Sequence, residues 1–226
     1  MEILEAREIV KTYAVGARLI PVLDHVSLSV SEAELLVVQG SSGSGKTTLL
    51  TLLSGLDKPT SGTVLLDGRD ITDMREDELA PLRNKTMGFV FQSFHLVPSL
   101  TALENIMFPA ELGRDRRAKE KAEALLDRVG LTERSDNFPH QLSGGEKQRV
   151  AICRALINEP RIIFADEPTG NLDSVNGRAV LDLLSELHRE RKTTVVLVTH
   201  SLEIAGLADR VIILQDGRIA GRSTSH

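Results

Sequence analysis

Short runs of four to six aliphatic residues recur along the chain, separated by longer stretches in which apolar positions return every three or four residues. The first pattern fits a strand buried on both faces; the second fits a helix with one apolar stripe. Leu35–Gln39 is a strand run that stops at Gly40, and a helix-forming stretch begins near Lys46. Gly62–Leu66 followed by Asp67-Gly68 predicts a strand entering a hairpin turn. Met87–Gln92 reads as a strand. Ala118, Ala122, Leu125, Leu126 and Val129 recur at helical spacing, with Gly130 as the stop. Arg161–Asp166, set off by Pro160, and Thr194–Thr199 read as buried strands, with Val180, Leu183, Leu184 and Leu187 marking a helix between Ser174 and Glu190. Val211–Leu214, Asp216-Gly217 and Arg218–Ala220 predict a closing hairpin, and Gly221–His226 a frayed polar tail.

Strands alternating with helices argue for an α/β class with a largely parallel sheet. The stretch from Ser93 to Gln141 breaks the alternation, with two helical patterns and no strand, and reads as a helical subdomain inserted into the core. No internal repeat or low-complexity segment is visible. The length of 226 residues fits one large domain, or one core with an inserted piece.

Composition narrows the function classes. Hydrophobic residues at 41% suffice for a sizeable core, yet no run approaches the ~20 apolar residues of a spanning helix. The opening MEILEAREIVKTY has no basic segment followed by an apolar stretch, so no signal peptide is expected. A formal net charge of −5 lacks the global positive field of a nucleic-acid binder, while leaving room for a local phosphate pocket. The single cysteine, Cys153, cannot form an internal disulfide and reads as core packing. No Cys/His cluster has zinc spacing. His25, His95, His140, His188 and His226 have no ligand partners in sequence and read as structural or solvent-facing. The RDRRAKEK run, Arg114–Lys121, reads as the solvated face of a helix, with lipid headgroup contact as the sharper alternative.

Gly40–Thr47 reads GSSGSGKT and satisfies G-x-x-x-x-G-K-S/T between a strand and a helix. Gly40, Gly43 and Gly45 are expected to turn with positive φ and let the backbone approach an anion. Backbone N–H groups at the helix start would face phosphate oxygens, aided by the helix dipole. Lys46 would supply charge for β- and γ-phosphates, and the Thr47 hydroxyl a ligand for Mg²⁺. Ile162–Asp166 is an apolar strand ending in the carboxylates Asp166 and Glu167. Asp166 fits a Mg²⁺-holding role and Glu167 a base for an attacking water; a solvated acidic turn before Pro168 is the plainer reading. Gln141–Gln148, QLSGGEKQ, places an N-cap Ser143 and two glycines at a second helix start. Either this is an ordinary capped helix, or it serves a nucleotide held by a second subunit.

LSGGEKQRVAICRAL, ADEPTGNLDS and VTHS together resemble the nucleotide-binding subunit of ATP-binding cassette (ABC) transporters across essentially the whole chain. GNLDS, GFVFQSFHLVPSLTALENI and NFPHQLSGG look most like the lipoprotein-release and macrolide-export branch, the LolD, MacB and YbbA type. The resemblance implies a P-loop NTPase (RecA-like) core with a mainly parallel sheet, an N-terminal antiparallel β subdomain and an inserted helical subdomain. It implies a single ATPase domain over 1–226, with a core of about 1–92 and 160–226 and an insert of about 93–159 carrying the signature motif.

The resemblance also implies ATP and Mg²⁺ as cofactors. ATP would be bound by Tyr13 (stacked on adenine), Gly40, Ser41, Ser42, Gly43, Ser44, Gly45, Lys46, Thr47 and Thr48, and Mg²⁺ by Thr47, Gln92 and Asp166. Gln92 is similar to the Q-loop glutamine, His200 to the switch histidine and Asp173 to the D-loop aspartate; Asp173 reads equally as a helix N-cap. Glu167, His200 and Gln92 would be catalytic. Ser143, Gly144, Gly145 and Glu146 would contact ATP across a dimer of this chain with itself or with a paralogous cassette. Further implied are integral membrane permease subunits docking beside Gln92 and parts of 93–112, no nucleic-acid partner, and a cytoplasmic location on the inner (plasma) membrane. The implied function is an ATPase that powers a membrane transporter or mechanotransmission complex, of export or lipoprotein-release type.

The rival is a soluble ABC ATPase of translation or DNA repair, but the chain carries neither a second cassette nor a long coiled coil. A GTPase should show N-K-x-D, and Asn84-Lys85-Thr86-Met87 fails at its last position. An ATP-binding scaffold without turnover is disfavoured by Glu167 and His200.

Overall fold

The computed structural model describes residues 1–224; the last two positions of the expected frayed tail, and with them His226, lie outside the described residues. In chain order the elements are β1 (Glu2–Val15), β2 (Arg18–Ser31), β3 (Leu35–Gln39), α1 (Lys46–Leu53), β4 (Ser61–Leu66), β5 (Arg69–Asp70), α2 (Glu76–Thr86), β6 (Met87–Phe91), α3 (Ala102–Leu112), α4 (Ala118–Arg128), α5 (Gly144–Leu156), β7 (Ile162–Asp166), α6 (Ser174–Arg191), β8 (Thr194–Thr199), α7 (Leu202–Ala205), β9 (Arg210–Gln215) and β10 (Arg218–Thr224). The chain divides into two compact units, residues 1–80 with the chain from Leu187 onward, and Pro81–Glu186.

The first unit holds an antiparallel sheet in the order β2-β1-β4-β5 and a second group of strands in the order β10-β9-β3-β8. In the latter, β3 runs parallel to both β8 and β9, and β9 turns back antiparallel into β10. Leu36, Val37 and Val38 of β3 are all fully buried, as are Leu49, Leu50 and Leu52 of α1. That explains why β3 and β8 read as unbroken aliphatic runs: parallel strands covered on both faces have no solvent side to alternate toward. The register pairs Gln39 with Thr199, so the chain leaves β3 and β8 side by side at their C-terminal ends. Such ends are where open α/β sheets place ligands.

In the second unit β6 and β7 run parallel, Phe91 pairing with Asp166 at their C-terminal ends. The two helices expected between Ser93 and Gln141 are α3 and α4. Thr101 and Glu104 form a capping box at the start of α3. Helix α5, which starts after Ser143, buries Val150, Ala151, Ile152 and Cys153.

Three expectations need correction. The tail does not fray at Gly221: strand β10 continues to Thr224, with Arg222 and Ser223 registered on Ile212 and Val211. The RDRRAKEK run is not one helical face, because Arg114 has φ 58° and α4 begins only at Ala118. There Asp115 accepts from Arg117 N–H (2.9 Å) and Lys121 Nζ (2.6 Å), folding the run into a turn that feeds the helix. Gly40 does not use a positive φ; its requirement is steric, as described below.

Candidate functional site

In the first unit the loop between β3 and α1 is built around two left-handed glycines, Gly43 (φ 80°) and Gly45 (φ 100°). Gly45 is the N-cap of α1 and supplies no capping side chain, so the first-turn N–H groups keep their capacity for an outside acceptor. A Cβ at Gly40 would lie 2.3 Å from the Leu214 carbonyl oxygen and 2.5 Å from Ser44 Oγ, so only glycine fits there. Lys46 is buried and folds back over the loop, donating to the carbonyls of Gly40 (2.9 Å) and Ser41 (3.0 Å). Ser44 Oγ is buried without a hydrogen-bond partner. An orphan hydroxyl beside a buried ammonium and an uncapped helix start is what an anion-binding cradle looks like. Ser41, Ser42, Thr47 and Thr48 complete the loop and the first helical turn.

Two further expected residues stand in this unit. His200 follows β8 directly and is exposed. The turn after it is tied to β3 by Gln39 Nε2 donating to Ser201 O (3.1 Å) and internally by Ser201 N–H donating to Thr199 Oγ1 (3.1 Å). Tyr13, near the end of β1, donates its hydroxyl to Asp57 Oδ2 (2.8 Å). Partial burial and the Asp57 carboxylate push its phenol above the ordinary value.

In the second unit the Phe91–Asp166 register places Gln92 and Glu167 at the ends of neighbouring parallel strands. Glu167 is left-handed (φ 43°), an uncommon state for a non-glycine residue, and its carbonyl accepts from Gly170 N–H (3.0 Å). Gln92 and Asn171 exchange two hydrogen bonds: Gln92 Nε2 donates to Asn171 Oδ1 (3.2 Å), and Asn171 Nδ2 to Gln92 O (3.0 Å). Sequence reasoning missed Asn171, although it lies inside GNLDS.

Ser143 caps α5 with a full capping box: Glu146 N–H donates to Ser143 Oγ (3.3 Å), and Ser143 N–H to Glu146 Oε2 (2.8 Å). That backbone bond, with the Arg134 guanidinium at 3.2 Å, holds the Glu146 carboxyl below its ordinary value. Ser143 Oγ accepts from Glu146 N–H in the cap and, as a hydroxyl, can also donate. A Cβ on Gly144 would meet Leu172 Cδ2 at 3.4 Å; on Gly145 it would collide with Asn176 Oδ1 at 2.2 Å. Asn176 is in turn held by Asp173, which accepts from the Val175 and Asn176 N–H groups (3.1 and 3.0 Å) and from Asn176 Nδ2 (2.6 Å). These bonds, led by the Asn176 N–H, keep the Asp173 carboxyl below its usual value. Asp173 therefore caps α6, and through Asn176 it abuts the glycines of α5.

Cys153 is fully buried, its Sγ donating to Leu125 O (3.5 Å), and burial pushes the thiol up to about 12. Such a thiol packs and does not react.

Oxygen donors of the kind Mg²⁺ takes occur in each unit taken by itself. Thr47 offers a hydroxyl, Gln92 an amide oxygen and Asp166 a carboxylate, all hard oxygen ligands. Among the described residues no group of three or more His, Cys, Asp or Glu forms a cage.

The chain matches the ABC transporter family over residues 23–170. It is 49% identical over 220 residues to the lipoprotein-releasing system ATP-binding protein LolD of Syntrophotalea carbinolica, covering 96% of this chain and 97% of that protein. It is 48% identical over 227 residues to the macrolide export ATP-binding/permease protein MacB of Syntrophobacter fumaroxidans, where it spans 99% of itself but only 32% of the relative. A dimeric post-hydrolysis structure of the ATP-binding cassette MJ0796, bound to ADP and Pi, superposes with a TM-score of 0.91 at 41% identity, covering 98% of both chains.

Proposed function

Because this chain belongs to the ABC transporter family, we propose that it is an ATP-hydrolysing subunit, acting as one ATPase domain, that drives a membrane export or lipoprotein-release complex by closing a dimer around ATP. The observation that carries the reading is that each unit ends a loop at a glycine-lined helix start. The α1 start has an uncapped Gly45 and a buried lysine, and the α5 start has the Ser143 hydroxyl at its N-cap. One nucleotide has no use for two such termini in one chain. Two chains docked head to tail give each ATP both, with the Gly40–Thr48 loop of one copy and Ser143–Glu146 of the other.

Lys46 leaves the Gly40 and Ser41 carbonyls to pair with the β- and γ-phosphates, and Ser44 Oγ gains the partner it lacks. Mg²⁺, held by Thr47, Gln92 and Asp166, would neutralise charge on the β- and γ-phosphates. Glu167 accepts the proton of the attacking water, and His200 holds the γ-phosphate and that water in line. Gln92 reports the occupied site to Asn171, and Asp173 relays it through Asn176 to the Gly144–Gly145 turn. Shifting a dimer from 1:99 to 99:1 takes about 5.5 kcal/mol of differential binding. Charge-assisted hydrogen bonds contribute roughly 1.5–3 kcal/mol each, so two or three per site suffice.

Among the described residues no helix is long and apolar enough to cross a membrane; the proposed translocation is carried by integral membrane permease subunits. These would dock beside Gln92 and the start of α3 and hold the chain at the cytoplasmic face of the inner membrane. Glu167→Gln tests the reading: ATP binding is retained, phosphate release falls by at least a hundredfold, and light scattering shows an ATP-dependent dimer. A variant that stays monomeric with ATP contradicts the sandwich.

A further inference from the structure

Tyr13 does not stand alone. Lys11 Nζ lies over its ring, 4.7 Å from the centroid, and is buried, donating to Lys58 O (2.6 Å) and pairing with Asp57 Oδ2 (2.8 Å). The same Asp57 oxygen accepts the Tyr13 hydroxyl at 2.8 Å. Asp57 is itself anchored at both ends of its loop. The N–H groups of Leu56 and Asp57 donate to Thr51 O in α1 (2.9 and 3.2 Å), and Thr60 N–H donates to Val10 O in β1 (2.8 Å). One carboxylate therefore ties the phenol to the helix that starts at the phosphate cradle, and one ammonium occupies one face of the ring.

We propose that Lys11 and Asp57 are positioning residues, which hold the Tyr13 ring at a fixed distance from α1 and leave a single face open to the base of a nucleoside triphosphate. This rests on the ATPase reading and adds to it. Stacking works at close to van der Waals separation, so a ring free to swing loses most of it. A cation over one face excludes the base from that side while favouring the ring electrostatically. The selectivity for a nucleoside over a bare triphosphate thereby depends on two residues that need not touch the ligand.

The chain has one tyrosine and no tryptophan, so its near-ultraviolet phenol absorption reads Tyr13 alone. Without nucleotide, the phenol titrates above free tyrosine in the unaltered protein, and Asp57→Asn brings it back toward the free value. With nucleotide, Lys11→Met and Asp57→Asn each raise KM for ATP about tenfold with kcat within about twofold, a loss of binding uniform between ground and transition states. Competition by inorganic triphosphate is unchanged, because it occupies only the cradle. In a Tyr13→Ala background the two substitutions add nothing further, since all three act as one unit. An ATP preference over triphosphate that survives both substitutions, or an equal loss with Tyr13 already removed, overturns the positioning role. Equal affinity of the unaltered chain for ATP and triphosphate overturns the base-stacking reading itself.

Discussion

Ser143 has two proposed duties, one to its own helix and one to the partner's nucleotide, and they can be separated by choice of substitution. Its Oγ accepts from Glu146 N–H at 3.3 Å, while Ser143 N–H donates to Glu146 Oε2 at 2.8 Å. Replacing a serine N-cap by alanine costs about 1 kcal/mol, whereas glycine at the same place costs only a few tenths. For a chain of this size 1 kcal/mol is roughly 2–4 °C of melting temperature, a small part of the ~5–15 kcal/mol that holds a domain folded. Loss of a hydrogen bond to a charged phosphate is worth roughly 1.5–3 kcal/mol, or about tenfold to more than a hundredfold in turnover. Ser143→Ala should therefore melt a few degrees lower and Ser143→Gly close to the unaltered protein. Both should lose turnover by at least tenfold while monomeric ATP affinity stays the same. Thermal melting, phosphate release and titration with a fluorescent ATP analogue measure the three quantities. If Ser143→Gly keeps full turnover, or if turnover tracks melting temperature across both variants, the hydroxyl only caps its helix. If monomer affinity drops, Ser143 serves its own subunit's nucleotide.

Further outcomes follow from the carboxylate and thiol shifts. The Glu146 carboxyl lies below its ordinary value, chiefly because of the Ser143 N–H, so its contribution is present above the unfolded glutamate value and is lost as pH falls through the lower folded one. Glu146→Gln should cost about 0.3–1 kcal/mol near neutral pH, with the melting difference closing as pH drops below the ordinary glutamate range; a constant gap across pH would refute the ionised cap. Cys153, buried with its thiol pushed up to about 12, should resist disulfide-exchange reagents in the native chain and label at once on unfolding. Rapid native labelling would show that the α5 core opens.

What could be read from the residues tracks how completely each element is buried. β3, β7 and β8 are buried nearly throughout, and their aliphatic runs stand out against any background. The long hairpin β1–β2 gave no clear strand pattern and was expected only as the antiparallel β subdomain that the resemblance implies. Its pairing slips between Ala6 and Ile9 and again before Lys11, with Glu8 and His25 at positive φ, so buried positions do not alternate. Helix α2 was not anticipated, because it buries only Leu79 and carries Pro81 inside, leaving no apolar stripe to count. The start of β10 was legible as the closing hairpin, but its continuation past Ala220 hid as a polar tail because it lies on an edge strand paired with β9.

At the site, His200 after β8 stood out only through the family resemblance, whereas the loop Gly40–Thr47 and the carboxylates ending β7 were marked by residue type and spacing, which local chemistry dictates. The pairing of Gln92 with Asn171, the seat of Gly145 on Asn176 and the Lys11–Asp57–Tyr13 cluster were not. Each joins residues 31 to 79 positions apart or through a third side chain, and a single sequence carries no record of such contacts.

The central claim is that each catalytic pocket is shared between two copies of the chain. ATP hydrolysis per mole of protein, measured across a wide span of protein concentration, tests it most directly. The account predicts that specific activity rises with concentration at the dilute end and levels off as dimers fill. A specific activity that is flat and full in the dilute regime, where scattering reports only monomers, would contradict it.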